Sequence, residues 1–196
     1  MKDIFEIRVH GRGGQGAKTA TIILAEAAMN KGKHIQAFPE YGAERQGAPI
    51  RSYTRISDKK MTIHCGVTNP DVVAVIDPTL LKSIPVAEGL TENGILLANT
   101  IDSPDEVRKI VGFNTGKVYT FDATGISQKH LGRNLPNMPL LGAVLKIAEL
   151  DNIETLKGIN IDDIKSLVEH KFRRRYGQDI VNKNNEAIME AYNEVK

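Results

Sequence analysis

The sequence predicts a single α/β domain over residues 1–196, with three layers built around a mostly parallel sheet. Three observations predict it. Strand-like apolar runs alternate with helical periodicity, a glycine-rich turn stands between the first strand and the first helix, and the last third of the chain has helical spacing. Alternating strands and helices favour parallel pairing through right-handed crossovers. The chain length of 196 residues allows one well-buried core.

The N-terminal part of the chain begins the alternation. Apolar and polar residues alternate over residues 4–9, which predicts the first strand. Small apolar residues at helical spacing predict a helix over residues 17–30, ended near Gly32. Residues 34–38 then predict the second strand.

The next two predicted strands are residues 52–56 and 61–65. The polar residues 57–60 between them suit a turn. The spacing therefore predicts an antiparallel hairpin added to the otherwise parallel sheet.

The middle of the chain contributes the buried strands of the sheet. Residues 71–76 and 94–98 are continuous apolar runs, typical of strands buried on both faces. A short helix over residues 104–111 precedes a strand over residues 117–121. The predicted architecture is thus Rossmann- or flavodoxin-like, with an antiparallel hairpin and C-terminal helices.

The C-terminal third is helical. Residues 140–150 are apolar on nearly every side, which predicts a helix buried in the core or by another subunit. Two later stripes follow, one over residues 161–172 and one over residues 180–195. The cationic run at residues 171–175 suits a helix C-terminus, where it complements the helix dipole. An anion site, for example for the phosphates of coenzyme A, is the alternative.

Composition excludes several classes of function. The 26 basic and 24 acidic residues give a net charge of +2, too balanced for a nucleic-acid-binding protein. No apolar run is long enough to span a membrane, and the N-terminus lacks the features of a signal peptide, so we expect a cytoplasmic protein. The one cysteine, Cys65, cannot form an internal disulfide or hold an iron–sulfur cluster alone.

The glycine-rich turn has the spacing G-x-G-x-x-G between a strand and a helix. Its residues are Gly11, Gly13, Gly14, Gln15 and Gly16. One interpretation is a loop that faces a phosphate or a nucleotide, with Glu40 as the nearest candidate for the ribose. The other is a turn that packs strand against helix and offers backbone to a partner. A P-loop is excluded because Ala17 separates Gly16 from Lys18.

A second loop follows the second strand, bracketed by Pro39 and Pro49. It combines an aromatic residue, both signs of charge and small residues, which is typical of a docking surface. The predicted docking residues are Tyr41, Glu44, Arg45 and Gln46. The alternative is an exposed connection without a partner.

Polar residues end three predicted parallel strands: Asp77, Asn99 and Asp122. They should lie along the carboxyl edge of the sheet beside the glycine loop, where open α/β sheets bind ligands. Helix N-capping is the alternative. The five histidines show no metal-ligand spacing, and His64 and Cys65 should point to opposite faces of a strand, so we predict neither a metal site nor a catalytic residue.

Together, the two loops, the Asn-Pro-Asp-Val stretch at residues 69–72 and the Asn-x-Pro-Asn segment at residues 134–137 resemble the gamma subunit of the 2-oxoacid:ferredoxin oxidoreductases. The resemblance covers most of the chain. The Phe-Pro-Glu and Gly-Ala-Pro sequences that flank the second loop are similar to those of pyruvate and branched-chain members. The resemblance also assigns Asn137 to partner docking.

The resemblance implies a complex that oxidatively decarboxylates pyruvate with coenzyme A to acetyl-CoA and carbon dioxide and reduces ferredoxin. Thiamine diphosphate, Mg²⁺ and [4Fe-4S] clusters would lie on alpha, beta and delta subunits, with no cofactor on this chain. The chain would be structural and help to cover the coenzyme A site. Three alternatives remain open: a branched-chain 2-oxoacid complex, a free-standing dinucleotide-binding oxidoreductase, and a flavodoxin-like adaptor that binds a small molecule.

The second loop generates a first prediction. If it docks on a partner, Arg45→Glu should disrupt assembly of the complex because a charge is reversed within the interface. The isolated variant should keep the circular dichroism spectrum of the parent chain. A normal yield of active complex from Arg45→Glu would contradict the docking assignment.

Overall fold

The computed structural model describes residues 3–40 and 47–196. Within them, six strands and six α-helices are found. In chain order they are β1 Ile4–Arg12, α1 Ala17–Asn30, β2 His34–Glu40, β3 Pro49–Ser57, β4 Val72–Val75, α2 Leu80–Ser83, β5 Ile95–Asn99, α3 Pro104–Val111, β6 Lys117–Phe121, α4 Ala123–Leu131, α5 Asn137–Leu150 and α6 Ile161–Glu194, with a 3-10 turn Glu154–Leu156 before α6.

The strands form one sheet in the order β2-β3-β1-β4-β5-β6. Strands β1, β4, β5 and β6 pair in parallel, whereas β3 is antiparallel to both of its neighbours. Strand β2 therefore runs in the same direction as β1 but is separated from it by β3. The mostly parallel α/β class is confirmed.

The prediction of an antiparallel hairpin over residues 52–65 is wrong for its second strand. Residues 61–65 are not a strand. Strand β3 pairs instead with β1 on one edge and β2 on the other, so neither edge is left for another strand. The segment that follows β3 lies against the sheet face, where the carbonyls of Cys65 and Gly66 accept hydrogen bonds from Arg55 at 2.8 and 3.1 Å.

Helices cover both faces of the parallel strands. The larger core packs α1, α5 and α6 against one face, and the smaller core packs α2 and α3 against the other. Successive residues of β4 enter the two cores alternately, as predicted for a strand buried on both faces. Helix α5 is buried along most of its length, as predicted.

Helix α6 is broken at Gly177, whose φ of 81° and ψ of 168° are not helical. The break separates two arms, and these carry the two apolar stripes found in the sequence. In the described ranges, no helix is both long and apolar enough to cross a bilayer.

Helices α5 and α6 approach each other closely at Gly142. A Cβ atom at this position would overlap the carbonyl oxygen of Ile188 and lie 3.0 Å from its carbonyl carbon. Backbone atoms of a packed helix cannot move aside as the end of a side chain can. Only glycine therefore allows the two helices to touch here.

Gly142→Ala should destabilise the fold by roughly 3 kcal/mol, near the top of the range for an overpacked core. Urea unfolding followed by circular dichroism would measure the change in free energy of unfolding. Gly66→Ala is the matched control, because a Cβ there meets nothing within 4 Å. Equal stability of the two variants would contradict this account of the contact.

Candidate functional site

The two loops singled out in the sequence meet at the carboxyl end of β1. Because β3 is antiparallel to β1, its first residue, Pro49, lies opposite Arg12 at the end of β1. The backbone N–H of Gly13 donates to the carbonyl of Ala48 at 3.1 Å. The C-terminal stem of the second loop is thereby fixed to the glycine loop.

The predicted docking residues Tyr41, Glu44, Arg45 and Gln46 lie outside the described residues, so their role stays a prediction. The stem beside them is described. The Arg12 guanidinium donates to the carbonyl of Gly47 at 3.2 Å. This end of the second loop therefore joins the sheet directly beside the glycine loop.

Gln15 closes the glycine loop with its side chain. Its Oε1 accepts from the backbone N–H of Arg12 at 2.7 Å, and its Nε2 donates to the Asp77 carboxylate at 2.6 Å. The oxygen of the side-chain amide thus bonds to its own loop, and the nitrogen bonds to Asp77, just beyond the carboxyl end of β4. The spacing of the glycines does not predict this bridging role. The one signal for it in the sequence was the polar side chain of Gln15 within a glycine turn.

Arg12 completes the same cluster, and the sequence analysis missed it. Its guanidinium donates to the Thr79 hydroxyl at 2.8 Å and lies 3.5 Å from a carboxylate oxygen of Asp77. Asp77 also accepts from the backbone N–H of Thr79 at 3.0 Å. We call Arg12, Gln15, Asp77 and Thr79 the loop clamp, because together they join the ends of β1 and β4 to both loops.

Two glycines of the first loop, Gly11 and Gly16, are required by packing within the chain. A Cβ at Gly11 would lie 2.8 Å from Ile76, and one at Gly16 would lie 2.6 Å from Cγ of Asn137. Gly14 has a φ of 98° and Gly16 one of 81°, conformations that other residues rarely adopt. These observations account for Gly11, Gly14 and Gly16 without a ligand, and the assignment of the loop to a phosphate or to coenzyme A stays a prediction.

Asn137, predicted to dock on a partner, lies at the start of α5 with only 8% of its surface exposed. Its side chain packs against Gly16. The structure therefore places Asn137 at the glycine loop, as a support for the turn. Its docking role stays a prediction, limited to the small part of the residue that is exposed.

Glu40 is not placed to hold a ribose at the glycine loop. It ends β2, and β3 separates β2 from β1, which puts it about 9–10 Å from β1 across the sheet. Its carboxylate accepts a hydrogen bond from the Tyr53 hydroxyl. In dinucleotide-binding folds the acidic residue follows a strand adjacent to the first. The arrangement here therefore differs from that motif.

The polar ends of β5 and β6 are used for local structure. Asn99 donates to the carbonyl of Ile76 at 2.7 Å and to the Thr124 hydroxyl at 2.9 Å. Asp122 caps α4 by accepting from the backbone N–H of Gly125 at 2.7 Å. The N-capping interpretation is thus confirmed for Asp122.

One face of β1 carries buried polar side chains. His10 is 1% exposed, and neither ring nitrogen has a hydrogen-bond partner in the described part of the chain. Burial, reinforced by the charges of Arg8 and Arg51, lowers the pKa of His10 to about 3. Burial likewise lowers the pKa of Arg8, whose guanidinium donates to the carbonyls of Val86 and Glu88.

This arrangement positions loops but offers no reactive constellation among the described residues. No cluster of three or more His, Cys, Asp or Glu residues within residues 3–40 and 47–196 could hold a metal ion. Cys65 is exposed, and its backbone carbonyl serves Arg55. The described residues of the site therefore serve to hold the glycine loop and the stem of the second loop side by side.

Comparison with known proteins identifies relatives over almost the whole chain. The family described as pyruvate ferredoxin/flavodoxin oxidoreductase matches residues 6–194. The pyruvate synthase subunit PorC of Thermotoga maritima is 46% identical over 195 residues, covering 100% of this chain and 96% of that protein. The pyruvate/ketoisovalerate oxidoreductases common subunit gamma of Thermococcus kodakarensis is 42% identical, covering 97% of this chain and 96% of that protein.

A solved structure agrees with the sequence relatives. The crystal structure of the pyruvate oxidoreductase subunit PORC of Thermotoga maritima superposes with a TM-score of 0.84 at 46% identity. The match covers 100% of this chain and 98% of that chain. The chain thus matches these relatives over nearly their full length.

The buried His10 generates a prediction for pH dependence. Its pKa is about 3 in the folded protein against an ordinary value of 6.5, so below pH 6.5 the unfolded chain takes up the proton first. Stability from the neutral ring is complete above pH 6.5 and is lost as the pH falls towards 3. At pH 5 the loss is about 2 kcal/mol.

His10→Phe should remove this loss, because the ring no longer titrates and no hydrogen bond is broken. Urea unfolding at pH 7 and pH 5 would compare the variant with the parent chain. His64→Phe, at an exposed histidine, is the matched control and should keep the parent's pH dependence. The same loss in His10→Phe as in the parent would refute the assignment.

Proposed function

Because the chain belongs to the pyruvate ferredoxin/flavodoxin oxidoreductase family, we propose that it is the gamma subunit of a pyruvate:ferredoxin oxidoreductase. The observation that carries the proposal is the match to gamma subunits over the entire chain, at 46% identity and with a TM-score of 0.84. If this chain shared only one domain with an otherwise unrelated protein, part of one of the two aligned sequences would lie outside the match. Here at least 96% of each of these relatives is covered.

The complex oxidatively decarboxylates pyruvate with coenzyme A, forms acetyl-CoA and carbon dioxide, and reduces ferredoxin. Thiamine diphosphate with Mg²⁺ supplies carbanion stabilisation in such a reaction, and [4Fe-4S] clusters carry single electrons. A cluster normally takes four cysteines, and this chain has one. The proposal therefore places these cofactors on the alpha, beta and delta subunits of a cytoplasmic complex.

The geometry supports a docking role for this chain. The loop clamp engages Arg12, Gln15 and Asp77 in contacts within the chain, which hold the glycine loop and, through Arg12, the stem of the second loop at Gly47. A surface held in one arrangement before binding loses less conformational entropy on association. We assign the joined loops to the interface with the catalytic subunits.

We also assign to the glycine loop the role of helping to cover the coenzyme A site. Helix α1 begins there with Gly16 as its N-cap, and it has neither a side-chain cap nor an acidic residue in its first turn. Free N–H groups at a helix start favour an approaching phosphate. The support for this assignment is electrostatic.

A branched-chain complex is the second candidate. The relative in Thermococcus kodakarensis is named as a subunit common to pyruvate and ketoisovalerate oxidoreductases. One gamma chain can therefore belong to two complexes in that organism. If this chain does the same, the preferred 2-oxoacid is set by the other subunits.

Affinity purification of the tagged chain from its own cells tests the proposal. We expect a brown complex that contains a thiamine-binding chain and a cysteine-rich, ferredoxin-like chain, and that reduces ferredoxin with pyruvate and coenzyme A. Activity with 3-methyl-2-oxobutanoate in place of pyruvate would identify the branched-chain alternative. A colourless protein that purifies alone would refute the subunit role, and saturable NAD or NADP binding by that protein would favour a free-standing oxidoreductase.

A further inference from the structure

The break in helix α6 forms a protruding basic feature that the proposed function does not use. We call residues 170–178 the arginine elbow. Every residue from 173 to 179 is exposed, although the helix arms on either side bury Val168 and Val181. A surface helix normally buries one face against the core. Here seven consecutive residues, four before the break at Gly177 and two after it, bury no such face, so the elbow projects from the body of the chain.

The elbow concentrates positive charge. Lysine and arginine occupy four of the five positions from 171 to 175, and residues 170–178 contain no carboxylate, whereas the net charge of the whole chain is +2. Lys171 pairs with Glu26 at 2.7 Å and Arg173 pairs with Glu169 at 2.9 Å. Among the described residues, no carboxylate pairs with Arg174 or Arg175.

Aromatic contacts hold the elbow in shape. The rings of Phe172 and Tyr176 meet edge to face at 5.7 Å, and Phe172 also packs against the larger core. The Arg175 guanidinium lies 5.2 Å from the centre of the Tyr176 ring. Tyr176 is nevertheless 49% exposed. An exposed tyrosine stacked by arginine is typical of an interface hot spot, and its stacking lowers the entropy lost on binding.

The elbow lies at the same end of the molecule as the glycine loop. Gly142 contacts Ile188 and Lys146 lies over the ring of Tyr192, so the second arm of α6 runs parallel to α5. Gly177 precedes Ile188 by eleven residues, whereas Asn137, at the start of α5, precedes Gly142 by five. At 1.5 Å per residue the elbow extends about 9 Å beyond the start of α5, which packs on Gly16.

The helix dipole explains only part of this feature. Cations complement the C-terminal end of the first arm, as the sequence suggested. The dipole does not require a half-exposed tyrosine or guanidinium groups turned out to solvent. A phosphate site is also disfavoured, because the open surface depression that Arg173 and Arg174 line also contains the Glu169 carboxylate, which pairs with Arg173 and would repel an anion.

We propose that the arginine elbow docks on a carboxylate-rich surface of another subunit of the complex, with Arg174 and Arg175 as the main contacts. Guanidinium groups pair with carboxylates through two parallel hydrogen bonds, which suits them to such an interface. The inference rests on the proposed function, because it requires that the chain be part of a complex. It adds a second contact at the end where the two loops lie.

The test measures binding of the full chain to the complex prepared without it, at low and high salt. The double variant Arg174→Glu/Arg175→Glu should raise the Kd at least about tenfold and flatten its salt dependence. Lys59→Glu/Lys60→Glu is the matched control: it makes the same charge change at exposed lysines that follow β3, at the opposite end of the sheet. It should bind within twofold of the parent.

Cross-linking identifies the contact directly. The variant Arg174→Lys/Arg175→Lys keeps both charges and should join, with a carbodiimide, to Asp or Glu residues of another subunit. Binding of the Arg→Glu variant within twofold of the parent, with the same salt dependence, would overturn the elbow proposal alone. Coenzyme A binding to the isolated chain that the Arg→Glu variant abolishes would overturn it in favour of a phosphate site. Failure of the parent chain to bind the complex would overturn the proposed function itself.

Discussion

Arg55 carries a positive charge into the sheet, where only 1% of the residue is exposed. Its Nε donates to the Glu6 carboxylate at 2.8 Å, which links β3 to β1, and its Nη1 lies 3.2 Å from the amide oxygen of Gln36 on β2. Losing one member of a buried pair typically costs about 3–5 kcal/mol. The contact therefore holds β3 between β1 and β2, and the functional end depends on that insertion. Because β3 begins where β1 ends, the stem of the second loop meets the glycine loop.

The same insertion marks the limit of what the sequence could predict. Local periodicity predicted α1, α3 and β6 with the bounds that the structure has, because each is decided by neighbours along the chain. Strand partners are decided across the sheet. Residues 61–65 have a strand-like pattern, yet β2 and β1 already occupy both edges of β3, and the carbonyls of Cys65 and Gly66 instead satisfy Arg55. No local signal distinguishes a strand from a segment that covers a buried guanidinium.

The candidate site was predictable in position but not in function. Parallel strands bring their carboxyl ends to one edge, so the sequence could place Asp77 and Asp122 near the glycine loop. Which hydrogen-bond partner each side chain finds there depends on differences of a few tenths of an ångström between donor and acceptor atoms. Gln15 reaches Asp77, and Asp122 caps α4. Two glycines of the dinucleotide spacing, Gly11 and Gly16, are required here by contacts within the chain, and the contact of Gly16 with Asn137 is the tighter of the two.

These contacts explain how a chain whose described residues hold no metal-binding cluster can serve as a subunit of an enzyme. The hydrogen bonds of Gln15 and Arg12 hold the glycine loop in place, and a fixed backbone makes a specific surface. The loop clamp does this for the glycine loop and for the stem of the second loop at Gly47, and the stacked Tyr176 does it for the arginine elbow. Two rigid features at one end of the chain restrict orientation more than either alone, because rotation about the first is blocked by the second. A subunit that must hold its partners at a set angle needs such a pair of contacts, and we propose the glycine loop as the first and the elbow that α6 forms at Gly177 as the second.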